Sequence, residues 1–517
     1  MADPAAAPPP ARGTDLALLG ATFVLAICGL VYELVAGSVS SYLLGDSVYH
    51  FSLVIGLFMS AMGIGAYLSR HVTEPESAFV AAQVALGLIG GFSAMILFAA
   101  FSLIENYSAF LFLVCIAIGA LVGLEIPLVI RILEGRDALK VTLSNVLTAD
   151  YIGALAAALL FPLVLVPQLG LMGASFLLGA MNLAVAGMAL WLFRGRCGTG
   201  LRAAFLLAVL AVGIGAWRSE AALGAMERRL YENEIVLAQD TPYQRVVVAR
   251  DGKRMQLFLN GSIQFDTLDE HRYHESLVHP AMTHAPRIAS VLILGGGDGM
   301  AAREVLRYRG VERVTLVDID PEVTALFRDH PALAPLNDNA LGDARVEIVN
   351  ADAWEFLKQR TDPFDVAILD LPDPKDLAVA KLYSRAFYGT LASRMAAGGV
   401  IVTQATSPLY ARKAFWTVEA TLAATLDPYA DARTLTTIPY HAYIPSFGEW
   451  GFVMAGARLP REARRALPEG LRFLDSEAFP AMQRFPGDMA RLDLAAATLF
   501  DQPLPRLYEE GWGEWFR

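Results

Sequence analysis

Two aspartates stand close together where an apolar run of the chain ends. Asp370 lies near the end of the predicted strand 364–371, and Asp373-Pro374 follows on a loop that proline stiffens. Open α/β sheets bind ligands at the carboxyl ends of their strands, where paired carboxylates can accept a proton and hold a cation. A solvated Asp-Pro turn is the competing interpretation for Asp373. It fits Asp370 less well, because that residue ends a buried strand.

A glycine-rich loop lies earlier in the chain. Residues 295–299 read Gly-Gly-Gly-Asp-Gly, between an apolar run and a helical one, so a ligand can approach the backbone near a positive helix end. The next strand ends at Asp318, 20 residues after Asp298, the spacing at which an acid binds a ribose diol. Asp298 would repel a pyrophosphate. The pattern therefore favours an adenosyl sulfonium ligand over NAD.

Further polar residues accompany these two motifs. Asp352 follows the next strand and could receive an adenine amine, or it could simply be a helix N-cap. Three polar segments stand upstream: Tyr243-Gln244, Leu259–Gln264 and Asp269–Glu275. The last of them could also be an exposed amphipathic helix. No His/Glu pair has HExxH spacing, so no metal site is predicted.

The elements that must position these residues follow from hydrophobic periodicity. Short strands separated by turn signals predict a small antiparallel β unit over 230–285. Buried-type strands then alternate with helical runs, which predicts a Rossmann-like parallel α/β domain over 286–517 with a helical tail. The predicted parallel strands are Ser290–Leu294, Arg313–Asp318, Arg345–Asn350, Phe364–Leu371 and Gly398–Gln404.

Composition separates the 517 residues into two parts. Charged residues number 19 in 1–217 and 74 in 218–517, and hydrophobic residues make up 55% of the chain. This pattern predicts a disordered Ala/Pro-rich start over 1–15 and a membrane domain over 16–217, with the lipid bilayer as partner. The net charge of −11 argues against nucleic acid. Seven apolar segments could span the membrane: 16–37, 51–69, 78–102, 109–133, 143–166, 170–193 and 202–217.

The order of the motifs resembles that of spermidine synthase and related polyamine aminopropyltransferases over about residues 230–455. The whole chain is similar to the subgroup with an N-terminal multi-pass membrane domain, on Tyr32-Glu33-Leu34 and the run 42–47. The resemblance implies aminopropyl transfer from decarboxylated S-adenosylmethionine to putrescine, giving spermidine and 5′-methylthioadenosine. It implies this co-substrate without a further cofactor, polyamine and adenosyl sulfonium substrates, and a homodimer.

The resemblance also implies a role for each matching residue. Asp370 matches the catalytic base, and Tyr273 matches the residue that orients the attacking amine. The positions that match donor-binding residues are Gln244, Leu259, Gln264, Gly295, Gly297, Asp298, Asp318 and Asp352. The positions that match acceptor-binding residues are Tyr273, His274, Asp370, Asp373 and Tyr443.

Two departures fall on the acceptor side. Leu371-Pro372 stands where the family commonly has Ser or Thr between the aspartates, and Tyr443 lies in a segment, 443–452, that matches the family only loosely. A class I S-adenosylmethionine methyltransferase shares the fold and is the main alternative. A membrane polyamine transporter or sensor with a binding-only soluble domain is the other.

The apolar part raises two further questions. Glu33, Glu125 and Asp150 could form a cation site in the bundle, or they could be protonated acids that join helices by hydrogen bonds. Basic loops place the N-terminus inside, so seven spans would put the soluble part outside, whereas the family's donor is made in the cytosol. If the segment 202–217 lies in the interface, six spans remain. We predict a multi-pass protein of the cell (inner) membrane with a cytoplasmic catalytic domain.

Overall fold

The computed structural model describes residues 12–44, 47–101, 103–104, 106–134, 139–230 and 233–515. The chain divides into two compact units, with the boundary between Glu234 and Ile235. Residues 1–11 of the predicted disordered start and Asp46 of the run 42–47 lie outside the described residues.

The described part of the first unit is helical, as its apolar composition requires. Two short turns complete it, Ser69–His71 and a π-helical turn at Phe161–Leu165. The helices are α1 (Arg12–Leu44), α2 (Ser47–Leu68), α3 (Pro75–Ile89), α4 (Ser93–Phe101), α5 (Tyr107–Leu133), α6 (Leu139–Leu160), α7 (Val166–Leu192) and α8 (Thr199–Leu230).

Five helical segments of the described residues are long and apolar enough to cross a membrane, or six if α3 and α4, bent by 42°, count as one span. The predicted number was seven. Relative to a count of six, the difference lies in Leu139–Leu192, which counts as one segment of 54 residues. A helix of that length measures about 80 Å, against ~30 Å for a bilayer core. Gly170, with φ 64° and ψ 178°, interrupts the helical backbone between the two spans predicted there.

Small residues let helices of this unit approach closely. A Cβ added to Gly179 of α7 would lie 2.7 Å from the carbonyl oxygen of Gly87 on α3 and 2.8 Å from Cα of Gly91. The Gly-x-x-x-Gly pair, Gly87 in α3 and Gly91 just after its end, thus lies against a third glycine, and backbones meet where larger side chains would separate them.

The second unit begins with a four-stranded antiparallel sheet and one long helix. The sheet has the order β1-β2-β3-β4. Its strands are β1 (Glu234–Asp240), β2 (Arg245–Asp251), β3 (Arg254–Leu259) and β4 (Ser262–Asp266), and α9 (Glu270–His284) follows.

A seven-stranded sheet forms the rest, in the order β10-β11-β9-β8-β5-β6-β7. The five strands β9, β8, β5, β6 and β7 are parallel, and β10 and β11 form an antiparallel hairpin. The strands are β5 (Ser290–Gly295), β6 (Arg313–Asp318), β7 (Val346–Asn350), β8 (Phe364–Asp370), β9 (Met395–Gln404), β10 (Thr436–Ile444) and β11 (Gly448–Gly456). The remaining helices are α10 (Met300–Leu306), α11 (Pro321–Asp329), α12 (Ala353–Gln359), α13 (Leu377–Ala380), α14 (Arg385–Ala392), α15 (Arg412–Ala423), α16 (Ala478–Met482) and α17 (Leu504–Trp515).

Alternating side chains of the parallel strands fill two cores, one on each face of the sheet. Val291 and Ile293 of β5 belong to one core, and Leu292 and Leu294 belong to the other. Because both faces are covered, the strand ends are where polar groups can gather. The predicted Rossmann-like fold class is therefore confirmed.

Two parts of this unit differ from the sequence-based expectation. The segment 443–452, for which no strand was predicted, lies largely in the hairpin of β10 and β11. Pro439 and the glycines of this hairpin weaken a strand pattern, and β10 tolerates proline because it is an edge strand. The expected helical tail contains, among the described residues after Leu459, only α16 and α17.

Candidate active site

The carboxyl ends of the central parallel strands bring the glycine loop between two acids. Gly295 ends β5 directly opposite Asp370 of β8, and Asp318 ends β6 on the other side. A Cβ on Gly295, where φ is 80°, would lie 2.1 Å from the carbonyl oxygen of Asp370, so only glycine fits. The Gly297 N–H donates to Asp318 Oδ2 at 3.0 Å. Burial raises the pKa of Asp318 to about 6.

Four side chains form a cluster beside this loop: Tyr273, His274 and Asp298, which are buried, and Asp370, which is half-buried. The Tyr273 hydroxyl donates to Asp370 Oδ1 at 2.8 Å. One ligating atom each from His274, Asp298 and Asp370 lies within 4.8 Å of the other two. Burial raises the pKa of Asp298 to about 6 and raises that of Asp370, although His274 opposes both shifts. A positively charged group of a ligand, placed here in addition to His274, would relieve the repulsion between these carboxylates.

The charge of His274 decides what this cluster can hold. Burial disfavours the imidazolium, but the hydrogen bond and charge of Glu270 raise the pKa of His274 to about 9. Its Nδ1 lies 2.9 Å from Glu270 Oε2. Since a protonated imidazole has no lone pair for a metal, the three residues are better suited to an ammonium group than to a metal ion.

A buried ion network supports that imidazolium from behind. Arg303 Nη2 donates to Glu270 Oε2 at 2.9 Å, and Arg303 Nε donates to Glu304 Oε1 at 2.9 Å. Glu304 Oε2 in turn lies 3.1 Å from His279 Nε2. Despite burial, the bonds and charges of His274 and Arg303 lower the pKa of Glu270 to about 2. The network links α9 to α10 directly behind the glycine loop.

Gln244, which directly precedes β2, lies on the Asp318 side. Gln244 Nε2 donates to Asp320 Oδ2 at 3.0 Å, and the Asp320 N–H donates to Asp318 Oδ1 at 2.9 Å. Asp320, fully buried, was not among the predicted site residues, although the Asp-x-Asp spacing signals it. Leu259 ends β3, and Gln264 on β4 donates to the carbonyl of Ser262 at 3.1 Å.

Asp352 combines an N-cap with an ion pair. Its Oδ1 accepts from the N–H groups of Trp354 and Glu355, at 2.8 and 3.1 Å, at the start of α12. Its Oδ2 accepts from Lys381 Nζ at 2.9 Å. Against the effect of burial, Lys381 and the backbone donors lower the pKa of Asp352. Asp352 is therefore a helix N-cap in the structure, and its carboxylate stays ionised.

Asp373 lies among residues that the sequence analysis did not single out. Gln404 Nε2 donates to Asp373 Oδ1 at 3.3 Å and to the Leu371 carbonyl at 2.7 Å, which fastens the loop between the two aspartates. Tyr508 of α17 also donates to Asp373. Burial raises the pKa of Asp373 to about 6, with Lys375 opposing the shift. Gln404 ends a parallel strand and could have been found by that signal, whereas nothing in the tail sequence indicates Tyr508.

Tyr443 is the predicted site residue that is not brought into this group. It is 55% exposed, and its backbone carbonyl accepts a hydrogen bond from Arg272 Nε at 2.6 Å. Tyr443 lies on β10 of this hairpin, and its acceptor role rests only on the loose match to the family.

Together these residues can do two kinds of chemistry. The acids Asp298, Asp370 and Asp373 can bind a ligand with more than one positive charge, since each is desolvated and Asp298 also faces Asp370. Asp370, held by the Tyr273 hydroxyl, can also accept a proton from a group bound beside the loop.

Comparisons with known proteins agree with this chemistry. Residues 270–458 match the family model of the spermine/spermidine synthase domain. The chain is 42% identical over 501 residues to a polyamine aminopropyltransferase of Leptospira interrogans, covering 96% of this chain and 98% of that protein. It is 45% identical over 514 residues to polyamine aminopropyltransferase 2 of Ralstonia nicotianae, covering 97% and 99%. The crystal structure of spermidine synthase from Thermotoga maritima aligns with a TM-score of 0.44 and 25% identity, over 49% of this chain and 85% of that one. Because two relatives of well over 30% identity match along nearly their whole lengths, this chain belongs to the polyamine aminopropyltransferase family and is an enzyme of that class.

Proposed function

We propose that the enzyme transfers an aminopropyl group from decarboxylated S-adenosylmethionine to putrescine or a related amine, giving spermidine and 5′-methylthioadenosine. The observation that supports this most strongly is the group of Tyr273, Asp298 and Asp370 beside the glycine loop. It offers a cation site and a proton acceptor at the edge where an adenosyl ligand would lie.

On the donor side, Asp318 would bind the ribose diol beside the N–H of Gly297. Gln244, Leu259, Gln264 and Asp352 are proposed to surround the rest of the thioadenosine, by their match to the family. Asp298 would pair with the ammonium of the aminopropyl group. It would repel the carboxylate that intact S-adenosylmethionine carries, which makes it the residue that selects the decarboxylated donor.

On the acceptor side, the attacking amine must first lose a proton. Alkylammonium groups have pKa values near that of lysine, roughly 10, so a neutral nucleophile is scarce without a base. Asp370 takes the proton, while Tyr273 fixes the orientation of its carboxylate. Asp373 and His274 border the remainder of the acceptor, with Asp373 pairing with the distant ammonium.

The transfer itself is an in-line displacement. The amine lone pair forms a bond to the methylene carbon next to the sulfonium, the carbon–sulfur bond breaks, and its electron pair stays on sulfur as a neutral thioether. The proton that the amine gave up before the attack stays on Asp370. Since the sulfonium already activates the carbon, alignment and deprotonation are what the protein must supply.

We further propose that the enzyme works as a homodimer at the cell (inner) membrane, with the second unit facing the cytoplasm. Light scattering of the detergent-solubilised protein tests the dimer, and a monomer mass would contradict it.

Turnover by purified full-length protein tests the function. We expect methylthioadenosine and an aminopropylated amine from the decarboxylated donor with putrescine, and a panel of other amines defines the acceptor. Methylated product from intact S-adenosylmethionine, without aminopropyl transfer, would support the methyltransferase alternative instead. Binding without any product would support a transporter or sensor.

A further inference from the structure

Four side chains with amide, carboxyl or phenol groups are buried in the first unit and joined in pairs by hydrogen bonds. They are Tyr32 on α1, Gln83 on α3, Glu125 on α5 and Asn182 on α7, and none is more than 5% exposed. Apolar residues of the bundle pack around them. A polar side chain in such surroundings is expensive unless it is hydrogen-bonded, and in a membrane it usually marks a functional site.

Hydrogen bonds join these residues in two pairs along one helix. Gln83 Nε2 donates to Glu125 Oε1 at 2.7 Å, and Asn182 Nδ2 donates to the Tyr32 hydroxyl at 2.8 Å. The Tyr32 hydroxyl reaches the Leu86 carbonyl on α3 at 3.4 Å. Residues three apart on a helix share a face, so both pairs lie along the same face of α3.

Each pair leaves one amide oxygen without a partner. Gln83 Oε1 and Asn182 Oδ1 are buried and accept no hydrogen bond from any described residue. Both atoms are acceptors, and the one ionisable carboxylate of the group belongs to Glu125. The group therefore has too few hydrogen-bond donors and one carboxyl that can carry a negative charge, and a cation carrying N–H groups would satisfy both.

We propose that Glu125, Gln83, Asn182 and Tyr32 form a binding site for an alkylammonium cation within the helical unit. A primary ammonium has one positive charge and three N–H donors, which match one carboxylate and two amide oxygens. The alkyl chain attached to it suits the apolar surroundings. The site is separate from the catalytic group and does not depend on which amine that group alkylates.

This proposal narrows the three-acid hypothesis drawn from the sequence. Glu125 is buried, whereas Glu33 and Asp150 are only partly so. Glu33 also follows Tyr32 directly on α1, and adjacent residues of a helix point in different directions. Glu33 is therefore the matched control for Glu125, with the same side chain in the same unit.

Binding of radiolabelled putrescine to the full-length protein in phosphatidylcholine nanodiscs tests the site. Equilibrium dialysis measures how many putrescine molecules bind per chain, and the wild type should bind one more than Glu125→Gln. The bundle site of that variant should bind putrescine at least about tenfold more weakly. Glu33→Gln should bind as the wild type does. Asn182→Leu removes one of the two unpartnered oxygens and should weaken the binding of the same putrescine molecule. It replaces Glu125→Gln as the test variant if Glu125→Gln does not fold.

Three results would overturn the proposal. One is equal putrescine binding by the wild type, Glu125→Gln and Asn182→Leu. Another is an equal loss in Glu33→Gln, which would indicate a general effect of negative charge. The third is binding of ²²Na⁺ that depends on Glu125 while putrescine does not compete, which would make this a metal-cation site. Melting curves of each variant establish that the protein is folded.

Discussion

Asp370 is suited to act as the base because it is desolvated and accepts a hydrogen bond from the Tyr273 hydroxyl at 2.8 Å. Asp370→Asn keeps the size of the side chain but cannot accept the proton. We expect kcat to fall at least ~10²-fold, the usual effect of removing a general base, with little change in donor affinity. Steady-state kinetics and donor calorimetry measure both.

Asp362 provides the control for that variant. It lies two residues before the start of the same strand, with its side chain 58% exposed. Asp362→Asn should keep kcat within about twofold, because surface charges contribute little. If Asp370→Asn were as active as this control, Asp370 would not be the base.

The shifted acids make binding depend on pH. Burial raises the pKa of Asp298, Asp318 and Asp373 to about 6 each, so all three are ionised at pH 7.5 and become protonated below pH 6. A cationic acceptor needs the ionised form of Asp373. Its KM should therefore rise as the pH falls below 6, by up to about tenfold per unit for one group.

Asp373→Asn isolates the contribution of that residue. The variant should have a high acceptor KM even at pH 7.5, and a weaker dependence of KM on pH between 5 and 7.5. An acceptor KM that stays constant over this range in the wild type would show that Asp373 does not bind the ammonium.

At the scale of elements, the strand ends are what the sequence predicts best. Buried parallel strands are continuous apolar runs, so an acid that stops such a run, as Asp318 and Asp370 do, marks both a strand end and a site. The N-cap of Asp352 was also foreseeable. By contrast, Gln404 and Tyr508 reach Asp373 from β9 and α17, and their approach depends on tertiary packing. The end of a parallel strand marks Gln404 as a candidate, but no local pattern in the tail predicts the approach of Tyr508 to Asp373.

The network between α9 and α10 makes a testable contribution to stability. Glu270→Gln leaves His274 and Arg303 without their carboxylate, and breaking a buried ion pair costs about 3–5 kcal/mol of unfolding free energy. It should also raise the pKa of Asp370 further, since His274 loses the partner that keeps it charged. The acidic limb of kcat/KM should then move to higher pH, which a merely structural role would not cause.

The pH dependence of that stability follows from two opposite shifts. The pKa of Glu270 is lowered to about 2, so its contribution is present above pH ~4.5 and is lost as the pH falls towards 2. The pKa of His274 is raised to about 9, so its contribution is present below pH ~6.5 and is lost as the pH rises through 9.

The stability difference between the wild type and Glu270→Gln should therefore be largest between pH 4.5 and 6.5. Glu355→Gln, which breaks an exposed pair with Lys358, is the control and should change little. Thermal unfolding at pH 3.5, 5.5 and 9.5 measures this. A difference that does not vary with pH would contradict the ionic role of the network.

For the whole molecule, the contrast in charge density predicted a helical unit and an α/β unit, and the structure contains both. Three basic residues of the helical unit, Arg70, Arg131 and Arg196, lie at or just after the ends of α2, α5 and α7. Arg131 Nη1 donates to the Ser69 carbonyl beside Arg70, and Ser77 at the start of α3 donates to the Arg196 carbonyl. The ends of α2, α5 and α7 thus lie together, which sequence order alone does not reveal.

This arrangement sharpens the question of sidedness. The segment Thr199–Ser219 of α8 is long and apolar enough to cross a membrane, so the interface position considered for 202–217 has less support. A crossing α8 that starts at a cytoplasmic basic end would lead outside, as the positive-inside rule implies. The substrates favour the opposite orientation, because a donor and an acceptor that both carry positive charge do not cross lipid unaided.

We predict that substrate supply decides the orientation and that the catalytic unit is cytoplasmic. A green fluorescent protein fused after Arg517 should then fluoresce, and alkaline phosphatase fused there should be inactive. An active phosphatase with a dark fluorescent fusion would place the unit outside and show that the basic end of the bundle, rather than substrate supply, sets the orientation.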